Sequence, residues 1–191
     1  YGSAVILGCG FNDPKPVLLQ KSSFRNNSGF PGATLAVGDC VVVIEDSTFE
    51  NNGPNGTAGA IWASHDVTIR NSTFVLNRTD DKKFPGTFGA GGVQLALLDY
   101  LNQPMVVENS LFVGNQGALG GAIGVVIEKA TNSQAPVLRG LTLAGNKASS
   151  KGGGLYVSAN GLTLQHSILW GNTVAQNPGD AGDQAFLAAL A

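Results

Sequence analysis

The chain has 191 residues, 43% apolar and 13% charged, with 27 glycines and a formal net charge of −2. That balance fits a packed, turn-rich globular protein and argues against disorder. Lys and Arg form no cluster beyond Lys82 and Lys83, so no basic field exists to hold a nucleic-acid backbone. No apolar run reaches the roughly 20 residues that a membrane-spanning helix needs, and direct membrane insertion is not expected.

The chain opens at Tyr1 with neither Met nor a leader, which suggests a processed form or a piece of something larger. Cys9 and Cys40 allow one disulfide. Asn-x-Ser/Thr sequons stand at Asn26, Asn55, Asn71 and Asn77; they are candidate glycosylation sites and lean toward a secreted glycoprotein.

From Val17 onward the sequence repeats. Segments SSFRNN, STFENN, STFVLN, SLFVGN, LTLAGN and SILWGN carry apolar anchors at Phe24, Phe49, Phe74, Phe112, Leu143 and Leu169. Three residues after each anchor comes Asn27, Asn52, Asn77, Asn115, Asn146 or Asn172. The anchors are 25, 25, 38, 31 and 26 residues apart, so a period near 25 is interrupted by two insertions, which read as loops. Five residues before the anchors lie Leu19, Ile44, Ile69, Val107, Leu138 and Leu164, alternating with polar columns as a strand does.

The parity then changes, because Ser22, Ser47, Ser72, Ser110, Leu141 and Ser167 share the anchor's face, so each strand must bend. At the bend stand Lys21, Asp46, Asn71, Asn109, Gly140 and His166, mostly types that tolerate left-handed backbone angles. His166 is therefore read as a corner residue rather than a catalytic one. Beside the bend, Gln20, Glu45, Arg70, Glu108, Arg139 and Gln165 alternate in sign where charged, which predicts a solvated ion-pair ladder between coils.

A further strand follows the loop in each unit: GATLAV (32–37), GAIWAS (59–64), GGVQLAL (91–97), GGAIGVV (120–126) and GGGLYVS (152–158). The paired glycines are expected to let the chain turn tightly. Units of short strands without helix cannot bury an apolar face alone and must stack. The predicted fold is all-β: a right-handed parallel β-helix of six to seven coils forming a single domain, 1–191. The six Asn then form an internal amide ladder, and Cys9 and Cys40, after the same strand of consecutive coils, fall near disulfide distance.

The two signals FxxN and GGAI resemble the repeat motifs of the chlamydial polymorphic outer membrane proteins. FxxN stands as FRNN, FENN, FVLN and FVGN, with Leu for Phe in the last two coils. GGAI is complete only at Gly120 to Ile123. The resemblance covers nearly the whole chain, and it implies a pectin-lyase-like β-helix displayed on a cell surface, often as the passenger of a larger protein.

Folds of this type also house polysaccharide lyases and hydrolases, which need converging carboxylates, with calcium and a base in the lyases. The acidic residues here are scattered (Glu45, Asp46, Asp66, Asp99, Glu108, Glu128), and neither His65 nor His166 has a Ser or Cys partner in a recognisable motif. No catalytic residue, metal site or cofactor is assigned. The expected function is a non-catalytic extracellular or cell-surface module, structural or adhesive, that presents loops on a β-helix scaffold. The alternatives are a polysaccharide lyase or hydrolase of this fold, or a glycan-binding or ice-binding protein, the last disfavoured by the irregular outward column Ser23, Thr48, Thr73, Leu111, Thr142 and Ile168.

If the chain binds a protein or glycan partner, three irregular loops are the place for it, the alternative being that their aromatics roof the loops onto the coils. They are Arg78 to Gly89 with Asp80, Asp81, Lys82, Lys83, Phe84 and Phe88, then Asp99 to Gln103 with Tyr100, and Glu128 to Gln134. Trp62 and Trp170 are read as packing residues. No amphipathic capping helix is evident, so neighbouring domains or subunits are expected to stack on the open ends.

Overall fold

The computed structural model describes residues 4–9, 15–28, 33–38, 40–53, 58–64, 66–79, 89–97, 104–127, 135–158, 161–175 and 184–187. All of its named elements are strands, from Val5–Leu7 to Ala185–Leu187. The most complete coil runs Val106–Glu108, Leu111–Val113, Gln116–Leu119 and Ile123–Ile127. Three of these strands pair in parallel with their equivalents in the coils before and after, while Gln116–Leu119, at the edge of its sheet, pairs with the following coil and has only a single bridge, Arg78 to Gln116, to the one before; the sheets have six, six, three and seven strands. We call these sheets 1 to 4 in the order one coil visits them.

The repeat columns deduced from sequence are the register of the stack. Val107 lies between Ile69 and Leu138, and Phe112 between Phe74 and Leu143. Inward positions form one continuous core in which Ile44, Ile69, Val107 and Leu138 are fully buried. Phe24, Phe49, Phe74 and Phe112 stack with centroids 4.8, 5.0 and 4.5 Å apart and planes within 5°. Each such ring removes roughly 2–3 kcal/mol worth of apolar surface from water. The predicted right-handed parallel β-helix is thus the fold.

Two corners per coil are made by single left-handed residues. The first uses Lys21, Asp46, Asn71, Asn109, Gly140 and His166, with φ between +47° and +62°. The second, not singled out in the sequence, uses Asn26, Asn51, Leu76, Gly114, Gly145 and Gly171, with φ between +51° and +63°. Leu76 is the misfit, because a branched side chain with no local hydrogen bond strains in this region by about 1–2 kcal/mol, and it is 55% exposed. Leu76→Asn is expected to stabilise the protein by about 0.5–1 kcal/mol, measured as a higher urea midpoint; a lower midpoint would mean that Leu76 packing outweighs its backbone strain.

The glycine pair does two jobs, which corrects the simple reading of a tight turn. Gly120 and Gly152, first in their motifs, are left-handed at +78° and +65°. The second column allows close approach between coils: a Cβ on Gly59 would stand 2.0 Å from the Gly91 carbonyl oxygen, and one on Gly91 2.3 Å from that of Gly121.

Cys9 and Cys40 form a disulfide with Cα atoms 5.0 Å apart, closing 31 residues of sequence. Loop closure of that length is worth about 3–4 kcal/mol on the chain-entropy account. The bond ties down Val5–Leu7, whose strand pairs on one side only, with Leu35–Val37. The double variant Cys9→Ser/Cys40→Ser is expected to speed amide exchange at Val5–Leu7 while leaving the central coils protected. Uniform loss of protection would instead mean that the stack unfolds as one unit.

Candidate functional site

Along the stack, each ladder asparagine from Asn52 to Asn172 uses both amide hydrogens. Asn77 Nδ2 donates to Phe49 O and to Asn115 Oδ1, both at 2.9 Å, and Asn77 N donates to the same Oδ1 at 3.0 Å. The pattern holds from Asn52 to Asn146, each donating to the side-chain oxygen of the next coil's asparagine and to an anchor carbonyl of the coil before. The last donor, Asn172, is taken up by Gln184, whose Oε1 lies 3.0 Å from Asn172 Nδ2 and whose own amide returns to Asn172 O at 3.2 Å. These amides are fully engaged in holding coils together and have nothing left for a ligand.

A serine column does the same for the first corner. Ser47 Oγ donates to Glu45 O at 2.8 Å and accepts from Ser22 N at 3.2 Å, and Ser72 and Ser110 repeat the arrangement. Sequence showed these serines to be inward but not what they bond.

Along sheet 1 the expected charge ladder resolves into discrete pairs. Arg70 meets Glu45, and Arg139 meets Glu108, each at 2.5 Å, while the Gln20 amide also bonds Glu45. On sheet 2 Arg25 pairs with Glu50 at 3.3 Å. Pairs of this kind, screened by solvent, add little to stability. The Gln20 amide first, and then the Arg70 guanidinium, hold the Glu45 carboxyl below the usual carboxylate range. A depressed folded-state pKa gives stability that is present above the unfolded-state pKa and lost as pH falls through the folded one. Glu45→Gln is therefore expected to make acid unfolding less steep, whereas an unchanged acid limb would show that Glu45 protonation is not linked to folding.

The structure separates the candidate site residues. Asn77 is excluded as a glycosylation site in the folded protein: it is fully buried and both its amide hydrogens are bonded. Asn26 and Asn71 are exposed at left-handed corners. His166 is an exposed corner residue with φ of +48°. Trp170 is 76% exposed on the outward face of sheet 2, so its reading as a packing residue is corrected: its place in the strand points it away from the core. Trp62 is half-buried. Asn55, His65, Asp80, Asp81, Lys82, Lys83, Phe84, Phe88, Asp99, Tyr100 and Glu128 lie outside the described residues, as do the loops between them.

Among the described residues a shallow groove of about 460 Å³ follows the first corner, lined by Asn71, Ser72, Thr73, Asn109, Ser110, Leu111, Gly140 and Thr142. It has no sequence signature, because its members come from three coils and look in the sequence like ordinary turn residues. The described residues hold no group of three or more His, Cys, Asp or Glu placed to bind a metal ion.

A regular parallel solenoid, closed inside by side-chain ladders and open to solvent on the outer faces of sheets 1 and 2, with the outward Gln94, Ala96 and Val126 of sheet 4 buried, is the class of protein these features define. A family model described as right handed beta helix region matches residues 2–182, and the chain belongs to that family. No curated protein and no solved structure matches the chain. Membership fixes the fold and leaves the activity open, since right-handed β-helices occur in both enzymes and structural proteins.

Proposed function

We propose that the chain is a non-catalytic extracellular or cell-surface module, structural or adhesive, built from repeats of the polymorphic outer membrane protein type. The observation that carries this reading is how the described acidic side chains are used. Glu45, Glu50 and Glu108 each pair with an arginine of a neighbouring coil rather than converging on one another, whereas lyases and hydrolases need convergent carboxylates. The disulfide suits an oxidising compartment.

Partners of this module are proteins or glycans bound by its loops, or neighbours stacked on its ends. End stacking is supported by Leu164, an inward-column residue left 39% exposed in the last strand of sheet 1, and by Asn27 Oδ1, which accepts no hydrogen bond among the described residues. The reading needs no cofactor. It is tested by screening the intact chain and a variant lacking residues 80–88 against immobilised glycans and extracellular-matrix proteins, together with a reducing-sugar assay on the same glycans. Binding without depolymerisation supports the module, and turnover of any polysaccharide overturns it.

A further inference from the structure

The two ends of the solenoid are complementary, and the chain's own last strand stands between them. Sheets 1 and 2 each hold six strands, but sheet 4 holds seven, because Val5–Leu7 precedes the first complete coil. If a second copy continued the first along the same axis, its Val17–Gln20 would lie on Thr163–Gln165 and its Ser23–Arg25 on Ile168–Trp170, the edge strands of sheets 1 and 2. Its Val5–Leu7 would then fall on Leu155–Val157, the place that Ala185–Leu187 already fills. The copy's first strand and the chain's own last one compete for a single position.

The amide ladder carries the same competition. Asn27 N and Nδ2 donate to Asn52 Oδ1, but Asn27 Oδ1 accepts nothing among the described residues. The matching donor at the other end is Asn172 Nδ2, and Gln184 Oε1 takes it at 3.0 Å. Glutamine is an imperfect substitute: Asn172 N lies 3.4 Å from Gln184 Oε1, against 2.9–3.1 Å for the same backbone contact between successive asparagines. The serine column is left open outright. Ser47 N and Ser72 N each donate to the hydroxyl one coil on, whereas Ser167 N meets no acceptor and Ser22 Oγ receives no N–H among the described residues. Val17, Leu19 and Phe24 are half-buried although their equivalents Val42, Ile44 and Phe49 are fully buried; at the far end Leu162 and Leu169 are half-buried and Leu164 is 39% exposed.

From these observations we infer that Gln184 and Ala185–Leu187 form a displaceable cap that imitates the N-terminal end of a second copy, and that a second copy stacks there once the cap leaves. In sheet 4 and in the ladder the exchange is nearly even, since a strand replaces a strand and Asn27 Oδ1 replaces Gln184 Oε1. The gain comes from sheets 1 and 2, where the half-exposed apolar side chains become core and the open strand edges pair. Each contact is head-to-tail and does not close, so the product is a filament along the solenoid axis. The disulfide holds Val5–Leu7 on Leu35–Val37 as the strand that the incoming copy presents. The inference rests on the end stacking in the proposed function and names the neighbour.

The test is sedimentation velocity of the intact chain and of a variant ending at residue 183, each over a range of concentrations. The intact chain is expected to stay monomeric. The shortened chain is expected to reach a weight-average mass at least about twice the monomer's, rising with concentration. Adding Leu19→Lys, which sets a charge on the incoming end where solvent still reaches, is expected to restore the monomer. A shortened chain that stays monomeric with protected amides in its central coils overturns the inference. So does assembly that Leu19→Lys leaves unchanged, or an intact chain that already polymerises. Should the shortened chain fail to fold, Ala185→Asp in the full chain releases the same strand by setting a charge against the core on which Ala185 packs, and the same outcomes decide. The reading of a non-catalytic module is tested separately by its binding and depolymerisation screen, so the two can fail independently.

Discussion

Asn115→Asp is expected to cost about 3–5 kcal/mol at neutral pH, enough to unfold the central coils in mild urea. Asn115 is fully buried, and its amide nitrogen donates to Phe74 O and Asn146 Oδ1, each at 2.9 Å. A carboxylate there would turn an oxygen toward those two acceptors and bring a charge into the core. Its pKa would rise, since burial and facing lone pairs both disfavour the ionised form. With the folded-state pKa above the unfolded one, the variant's deficit is smallest below the unfolded-state pKa and grows as pH rises through the ordinary carboxylate range. Asn115→Ala serves as the comparison: it strands the two donors of Asn77 and the Phe74 carbonyl, at about 3 kcal/mol, with no such pH dependence. Urea midpoints of both variants across that range check the expectation. Equal deficits at every pH would show that the ladder tolerates a charge.

Gly121→Ala is expected to be nearly as damaging although it adds only a methyl group. That methyl would stand 2.0 Å from Gly153 O and 2.6 Å from Lys147 N, both backbone atoms of the next coil. Neither can move without breaking parallel pairing, so a loss of about 3 kcal/mol or failure to fold is the anticipated result. Gly145→Ala provides the contrast. Gly145 has φ of +61° and open space where a Cβ would go, so only backbone strain of about 1 kcal/mol applies. A melting series of the two variants tests whether close approach, rather than glycine content, sets the cost; equal losses would refute it.

Both expectations concern contacts between coils, and that is where sequence and tertiary structure divide. By itself the sequence determined the solenoid. A side chain's inward or outward direction depends on its own strand's period of two, and a left-handed corner selects Asn, Asp or Gly locally, so Phe24 to Leu169 and Lys21 to His166 are visible as columns. The ladder asparagines were legible for the same reason, recurring at one place in every unit. The second corner carried the same signal, Asn or Gly at five of six positions with Leu76 the exception, but it lies directly before the ladder asparagine, whose recurrence drew the reading instead.

Only the stacked structure decided which donor meets which acceptor. Gln184 ends the ladder from 12 residues past Asn172, a spacing unrelated to the repeat. The glycines of GGAI divide into a turn and a close approach because the second one meets another coil's carbonyl. Asn77 reads as a sequon in sequence, yet in the fold its amide is consumed. Asn71 and Asn109 become groove walls only when coils 38 residues apart are brought into register. Such facts depend on distances between segments whose loops differ in length, and local periodicity carries no information about those distances.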